Sequence, residues 1–75
     1  MNNEKNQPES GSMKAVSAEF IKGRHALMGF IRLLVRDHHA VDDIFQEVWL
    51  TLVDALERKV EINDQAKWCR GVARN

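Results

Sequence analysis

The sequence is poor in the residues that cross-links, loops and membrane spans require. Its 75 residues include one cysteine, one proline and four glycines. A single cysteine forms no internal disulfide, which excludes a small secreted protein stabilised by disulfides. The low content of proline and glycine argues against a loop-rich or fibrous fold. No apolar run approaches the roughly 20 residues that span a bilayer, and no secretory signal follows the N-terminus. We therefore expect one small cytoplasmic domain.

Charge is balanced overall but segregated along the chain. The formal net charge is zero. Basic residues predominate between Lys14 and Arg36, the stretch from Asp37 to Leu56 carries only acids, and basic residues are again in excess from 57 to 75. Segregated charge is typical of a protein whose faces meet different partners, and chance variation among solvated helix faces is the alternative.

Apolar residues recur at helical spacing in three segments that follow a polar N-terminal stretch. We predict a disordered polar tail over residues 1–16 and one helical domain over residues 17–75. The helices expected are a first of about twenty residues capped by Ser17, a second from Ala40 to Leu56 or Glu57, and a third capped by Asn63 or Asp64. The predicted fold class is all-α, a small three-helix bundle made of an antiparallel hairpin and a third helix.

The predicted core is the set of apolar stripes on these helices. Its members are Phe20, Ile21, Leu27, Met28, Ile31, Leu34 and Val35 in the first helix, Val41, Ile44, Phe45, Val48, Leu52, Ala55 and Leu56 in the second, and Trp68, Cys69 and Val72 in the third. Cys69 on this inward face is expected to be a buried, inert thiol. The third helix is still in register at Asn75 with no stop signal, so we expect it to continue past the last residue.

A polar stripe on the second helix avoids the core. Its members, spaced i, i+3, i+4 and i+7 on one helical face, are Asp43, Gln46, Glu47 and Leu50. An apolar anchor beside an amide and two carboxylates suits a protein interface. From the pattern alone, an ordinary solvent-exposed helix face is the alternative.

The stretch Asp43–Leu50 resembles the "D-hydrophobic-hydrophobic-Q-E-V-aromatic-L" signature of bacterial RNA polymerase sigma factors, and looks most like region 2 of the extracytoplasmic-function (ECF) group of the sigma-70 family. The preceding stretch, residues 34–43, is similar to that family's "LLRDxxxAEDLLQE" lead-in. Residues 67–75 resemble its "AWLxRIARN". The resemblance covers roughly residues 20–75, and two motifs in the right order make it specific.

The resemblance implies partners and site residues. In the family, the helix of this signature docks on the clamp helices of the largest subunit of core RNA polymerase, so core binding is assigned to Asp43, Gln46, Glu47 and Leu50. The stretch that follows implies recognition and melting of the promoter minus-ten element through its non-template strand. The candidate DNA-binding residues are Arg58, Lys59, Lys67, Arg70, Arg74 and Asn75. An anti-sigma factor is a further implied partner.

The sequence also departs from the family. Residues 1–75 include neither the arginine-rich continuation after "ARN" nor the helix-turn-helix for the minus-thirty-five element, and the loop between Arg58 and Asp64 has no aromatic residue for base capture. We therefore expect weak, salt-sensitive binding to single-stranded promoter DNA, and only when the third helix is extended past Asn75.

Other functions have less support in the residues. Adjacent His38 and His39 lack the spacing of a zinc site, and no catalytic constellation or phosphate-binding loop is present, so we expect no metal, no cofactor and no enzyme activity. The main alternative function is a small helical protein–protein interaction domain unrelated to transcription. Its simplest form is a homodimer through Trp49, Leu50 and Val53.

Overall fold

A computed structural model of the chain describes residues 12–75, and every regular element within that range is an α-helix. The four helices are α1 (Met13–Lys22), α2 (Arg24–Leu34), α3 (His38–Glu57) and α4 (Gln65–Arg74). The predicted all-α class is confirmed. Most of the predicted tail, residues 1–11, lies outside the described residues.

The first predicted helix is divided in two at Gly23, so the three-helix expectation becomes four helices. Gly23 ends α1 by donating its N–H to the carbonyl of Glu19 at 3.1 Å, and its own carbonyl accepts from Leu27 at 3.0 Å as α2 begins. Glycine is about 1 kcal/mol less favourable than alanine inside a helix. Gly29 carries the same penalty but stays within α2, so the penalty permits the break at Gly23 without requiring it.

The N-terminal boundary also differs from the prediction. Ser12 caps α1, because its hydroxyl accepts from the N–H of Ala15 at 3.1 Å, whereas Ser17 lies within the helix. Val16 is buried, which extends the apolar stripe one turn earlier than expected. Residues 13–16 therefore belong to the helical domain and not to the tail.

Side-chain caps fix the start of α3 and of α4. The Asp37 carboxylate accepts from the N–H of His39 at 2.9 Å, so α3 begins at His38, two residues before the predicted start. The predicted connection over Asp37–His39 is therefore wrong for His38 and His39, which belong to α3. The Asp64 carboxylate accepts from the N–H of Lys67 at 3.1 Å, which confirms Asp64 as the cap of the last helix.

The core lies where all four helices meet. Ile31, Val48 and Leu52 are essentially inaccessible to solvent. The buried cluster comprises Val16, Phe20, Leu27, Ile31, Val41, Val48, Leu52 and Cys69, and the residues packed against it include Met28, Val35, Ile44, Phe45, Trp49, Leu56, Trp68 and Val72. Two core predictions are wrong: Ile21 is 65% exposed and Leu34 is 41% exposed. The buried residues Val16, Phe20, Leu27 and Ile31 keep helical spacing across Gly23, and Ile21, one residue after Phe20, lies about 100° around the helix from that line.

α4 runs along α1 and α2 in the same direction as those two helices. Near its start, the side-chain Nε2 of Gln65 donates to the backbone carbonyl of Val16 at 3.1 Å. Near its end, the guanidinium of Arg74 lies 5.6 Å from the ring centre of Phe30 in α2. Within residues 12–75, no helix has both the length and the apolar character needed to cross a membrane.

Candidate interaction surfaces

The polar stripe of α3 faces away from the core. Asp43, Gln46 and Glu47 are exposed, and Leu50 is 53% exposed. The same helix buries Val48 and Leu52 on its other side. The four residues predicted to share a face therefore lie on the outer surface of α3, and we call them the α3 stripe.

The polar side chains of the α3 stripe have no intramolecular role in the part of the chain that the structure describes. The side chains of Asp43, Gln46 and Glu47 make no hydrogen bond or ion pair there, although the Thr51 hydroxyl donates to the backbone carbonyl of Glu47 at 2.8 Å. An exposed amide and two exposed carboxylates are therefore available for hydrogen bonds from a partner, and Leu50 offers apolar area at the C-terminal end of the stripe.

A groove between α1 and α3 borders the α3 stripe, and the sequence did not predict it. Its volume is about 530 Å³, and its lining residues are Ser17, Phe20, Ile21, Arg24, Asp42, Phe45, Gln46 and Trp49. Phe20 forms its floor, with ring centres 5.0 Å from Phe45 and 4.9 Å from Trp49. Gln46 belongs to both the groove and the stripe. A helical pattern reveals which residues share one helix face, but not which gap remains between two helices.

A basic stripe runs along the outer face of α4. Lys67, Arg70 and Arg74 are exposed at i, i+3 and i+7, on the side opposite the buried Cys69. α4 contains no acidic residue, so these charges are not neutralised within the helix. The contact with Phe30 holds the guanidinium of Arg74 against α2 by a cation–π interaction.

A cavity of about 670 Å³ lies between α4 and the loop before it. Its lining includes Lys67, Arg74 and Asn75, three of the candidate DNA-binding residues, together with Trp68. Trp68 is half-buried, so it packs against the core, as predicted, and also presents part of its ring to the cavity. The loop itself adds no aromatic side chain, but the first turns of α4 add this one.

Arg58 and Lys59 do not line this cavity. The Arg58 guanidinium pairs with the Asp54 carboxylate at 3.2 Å, and both side chains are well exposed, so the pair adds little stability. Lys59 follows the end of α3 with a positive φ of 60° and lines a different cavity, one that reaches α1. The structure therefore separates these two candidates from Lys67, Arg74 and Asn75.

Cys69 is buried with 2% of its surface exposed. Burial raises the pKa of its thiol from 9.0 to about 11, because desolvation disfavours the thiolate. The expectation of a buried cysteine is confirmed, and such a thiol is a poor nucleophile at neutral pH. Among residues 12–75, no group of three or more His, Cys, Asp or Glu side chains is arranged to hold a metal ion.

The chain was also compared with known proteins. No family model, no curated protein and no solved structure matches it. The α3 stripe, the groove beside it and the basic face of α4 are therefore the features that bear on function.

Proposed function

We propose that this chain is region 2 of an ECF-type RNA polymerase sigma factor. In this role it binds core RNA polymerase through the α3 stripe and contributes to minus-ten promoter recognition and melting through α4. The observation that supports the proposal most is the exposure of Asp43, Gln46, Glu47 and Leu50 together, on the face of α3 opposite the core. These are the positions at which the sequence resembles the polymerase-binding signature. A cytoplasmic location accompanies this function.

The chemistry of the α3 stripe suits the clamp helices of the largest polymerase subunit. Acidic side chains steer the domain toward a basic surface and increase the association rate more than the final affinity. Gln46 both donates and accepts hydrogen bonds, so its loss leaves partner groups unpaired. Leu50 supplies the apolar contact at the C-terminal end of the stripe.

The basic face of α4 suits single-stranded DNA. Lys67, Arg70 and Arg74 neutralise phosphates, which makes binding salt-dependent. The cavity beside them accommodates an unpaired base of the non-template strand, with Trp68 available for stacking and the Asn75 amide available for a base edge. Arg58 and Lys59 lie apart from this cavity, so they contact phosphates at a separate point on the strand.

Measured affinity for purified core RNA polymerase tests the first half of the proposal. We expect Asp43→Ala and Gln46→Ala each to weaken binding about tenfold or more, because each substitution leaves polar groups of the partner without a hydrogen-bond partner. Glu19→Ala, which removes an exposed carboxylate from α1, is the matched control and keeps wild-type affinity. Full retention of binding in the Asp43→Ala, Gln46→Ala double variant would contradict the assignment.

Fluorescence anisotropy with a labelled single-stranded oligonucleotide tests the second half, with a chain whose last helix is extended past Asn75, because binding is expected only then. Lys67→Ala and Arg74→Ala are expected to weaken binding at all sequences and to reduce the slope of log affinity against log salt by about 0.7 each. Lys22→Ala, on α1, is the control for the loss of one positive charge. Binding that does not depend on salt would contradict a phosphate-contacting face on α4.

Self-association is the second candidate function, favoured by the 53% exposure of Leu50 beside the half-buried Trp49 and Val53. It predicts a melting temperature that rises with protein concentration and no affinity for polymerase. The sigma-like function predicts a melting temperature that does not depend on protein concentration, together with affinity for polymerase. Sedimentation velocity with and without core polymerase therefore separates the two.

A further inference from the structure

Arg74 is the one cation on the basic face of α4 that a second helix holds in place. Its guanidinium carbon lies 5.6 Å from the ring centre of Phe30 in α2, within the roughly 6 Å over which an aromatic face attracts a cation. Within residues 12–75, neither Lys67 nor Arg70 has an equivalent aromatic contact. Arg74 therefore has less conformational freedom to lose on binding than its two neighbours have.

The core makes little use of the Phe30 ring, although that residue is half-buried. Among the described residues, Phe30 belongs neither to the buried cluster nor to the side chains packed against it. The neighbours of Phe30 in α2 that serve the core are Leu27, Met28 and Ile31. The ring is thus left at the margin of α2, where the guanidinium of Arg74 lies above it.

The contact with Phe30 leaves the hydrogen-bond donors of Arg74 free. Cation–π attraction is electrostatic and uses none of the five guanidinium N–H groups. In the part of the chain that the structure describes, the Arg74 side chain makes no hydrogen bond and no ion pair. Arg74 also lines the cavity beside α4, together with Lys67 and Asn75. A phosphate at this cavity therefore meets donors that are held in place before it arrives.

We propose that Phe30 is a positioning residue for nucleic-acid binding, because its ring holds the Arg74 guanidinium where it donates to a phosphate of the single strand. The inference rests on the DNA-binding half of the proposed function, and it adds α2 to the elements that form that site. A free arginine loses rotamer entropy when it binds a phosphate, whereas an arginine already held against a ring loses less. Phe30 thus increases affinity without contact to DNA.

Anisotropy titrations of a labelled single-stranded oligonucleotide, with the chain extended past Asn75, test this role. We expect Phe30→Leu to weaken binding about two- to fivefold, the factor by which an exposed cation–π contact favours the held side chain. The slope of log affinity against log salt is expected to stay unchanged, because Arg74 still neutralises a phosphate. Phe30→Tyr keeps the ring, so it is the matched control and is expected to bind as the wild type does.

A double-mutant cycle separates positioning from a general effect on the fold. In the Arg74→Ala background, Phe30→Leu is expected to cause no further loss of affinity, because the side chain that it positions is gone. The same loss in both backgrounds would overturn the proposal, since Phe30 would then act without Arg74. Met28→Leu, at a half-buried residue of α2 that packs against the core, controls for altered packing and is expected to keep wild-type affinity.

Nuclear magnetic resonance gives a second readout that requires no DNA. The ring current of Phe30 is expected to shift the side-chain proton resonances of Arg74 in the wild type and in Phe30→Tyr, and the shift is expected to vanish in Phe30→Leu. Resonances at unshifted positions in the wild type would overturn the proposal.

The outcomes also separate the role of Phe30 from the proposed function. Wild-type affinity in Phe30→Leu together with weaker binding in Arg74→Ala would overturn the positioning role and leave α4 as the DNA-binding surface. Absence of DNA binding by the extended wild-type chain would overturn both the positioning role and the DNA-binding half of the proposed function.

Discussion

The ring centres of Phe20 in α1 and Trp49 in α3 lie 4.9 Å apart, with the ring planes tilted by 44°. This geometry is within the range that aromatic pairs favour, and it adds about 0.5–1.5 kcal/mol to the stability gained by burial alone. The pair does two things at once. It attaches α1 to the rest of the bundle, and it forms the base of the groove beside the α3 stripe.

Replacement of Phe20 by alanine is expected to lower the free energy of unfolding by about 3–5 kcal/mol, since a buried ring is lost and a cavity remains. A domain of this size has little stability in reserve, so the variant is expected to be largely unfolded at 37 °C. Urea denaturation followed by circular dichroism measures the change. Ile21→Ala, one residue along α1, is the control and is expected to stay within about 0.5 kcal/mol of the wild type.

Two glutamines in the chain are expected to respond differently to substitution. Gln65 donates to the Val16 carbonyl at 3.1 Å and connects α4 to α1, so Gln65→Ala is expected to cost about 1 kcal/mol. Gln46 has no such contact among the described residues, so Gln46→Ala is expected to leave stability unchanged while it weakens polymerase binding. Equal destabilisation of the two variants would mean that Gln46 has a structural role and would remove it from the interface.

The extent of α3 could largely be predicted, because its apolar residues from Val41 to Ala55 keep one helical phase throughout. The break at Gly23 could not, because glycine costs only about 1 kcal/mol within a helix, and packing against other helices easily outweighs that amount. The cap of α1 at Ser12 could have been predicted, because Val16 lies four residues before Phe20 and continues the same apolar stripe.

The α3 stripe could be predicted from the sequence, whereas the groove could not. All members of the stripe lie on one helix, so their shared face follows from 3.6 residues per turn. The groove has Ile21 on one side and Trp49 on the other, on helices whose separation depends on the packing of Phe20 between them. A sequence pattern does not specify that distance. The assignment of Ile21 to the core rests only on its place in a broad stripe of apolar residues at helical spacing.

Lys59 offers a route to a more stable domain. Its φ of 60° lies in the left-handed region, and it occupies the position after the cap of α3 where glycine is usual. Two hydrogen bonds close this helix end, from Val60 N–H to the Ala55 carbonyl at 2.9 Å and from Lys59 N–H to the Leu56 carbonyl at 3.0 Å.

We expect Lys59→Gly to raise the free energy of unfolding by about 1 kcal/mol, because it removes the strain of a side chain in this conformation. Lys59→Ala removes the same charge but keeps the strain, so it is the matched control and brings no such gain. Thermal denaturation compares the two variants. A gain of equal size in both would assign the effect to charge and not to the backbone.

The buried thiol of Cys69 makes stability depend on alkaline pH. In the unfolded chain the thiol ionises near its ordinary pKa of 9.0, whereas burial raises the pKa in the folded chain to about 11. Between these values the unfolded state binds fewer protons, so the free energy of unfolding falls as pH rises, by up to about 1.4 kcal/mol per pH unit. Below pH 9 this contribution is fully present and constant.

Urea denaturation of the wild type and of Cys69→Ala at pH 7.5, 9.5 and 10.5 isolates this contribution, since other groups titrate alike in both proteins. Above pH 9, the free energy of unfolding of the wild type is expected to fall faster than that of Cys69→Ala, so the variant becomes more stable relative to the wild type as pH rises. A constant difference across this range would mean that the thiol reaches water in the folded state. Rapid labelling by a thiol reagent at pH 8 would point the same way, because a thiol that stays protonated and enclosed reacts only when the domain opens.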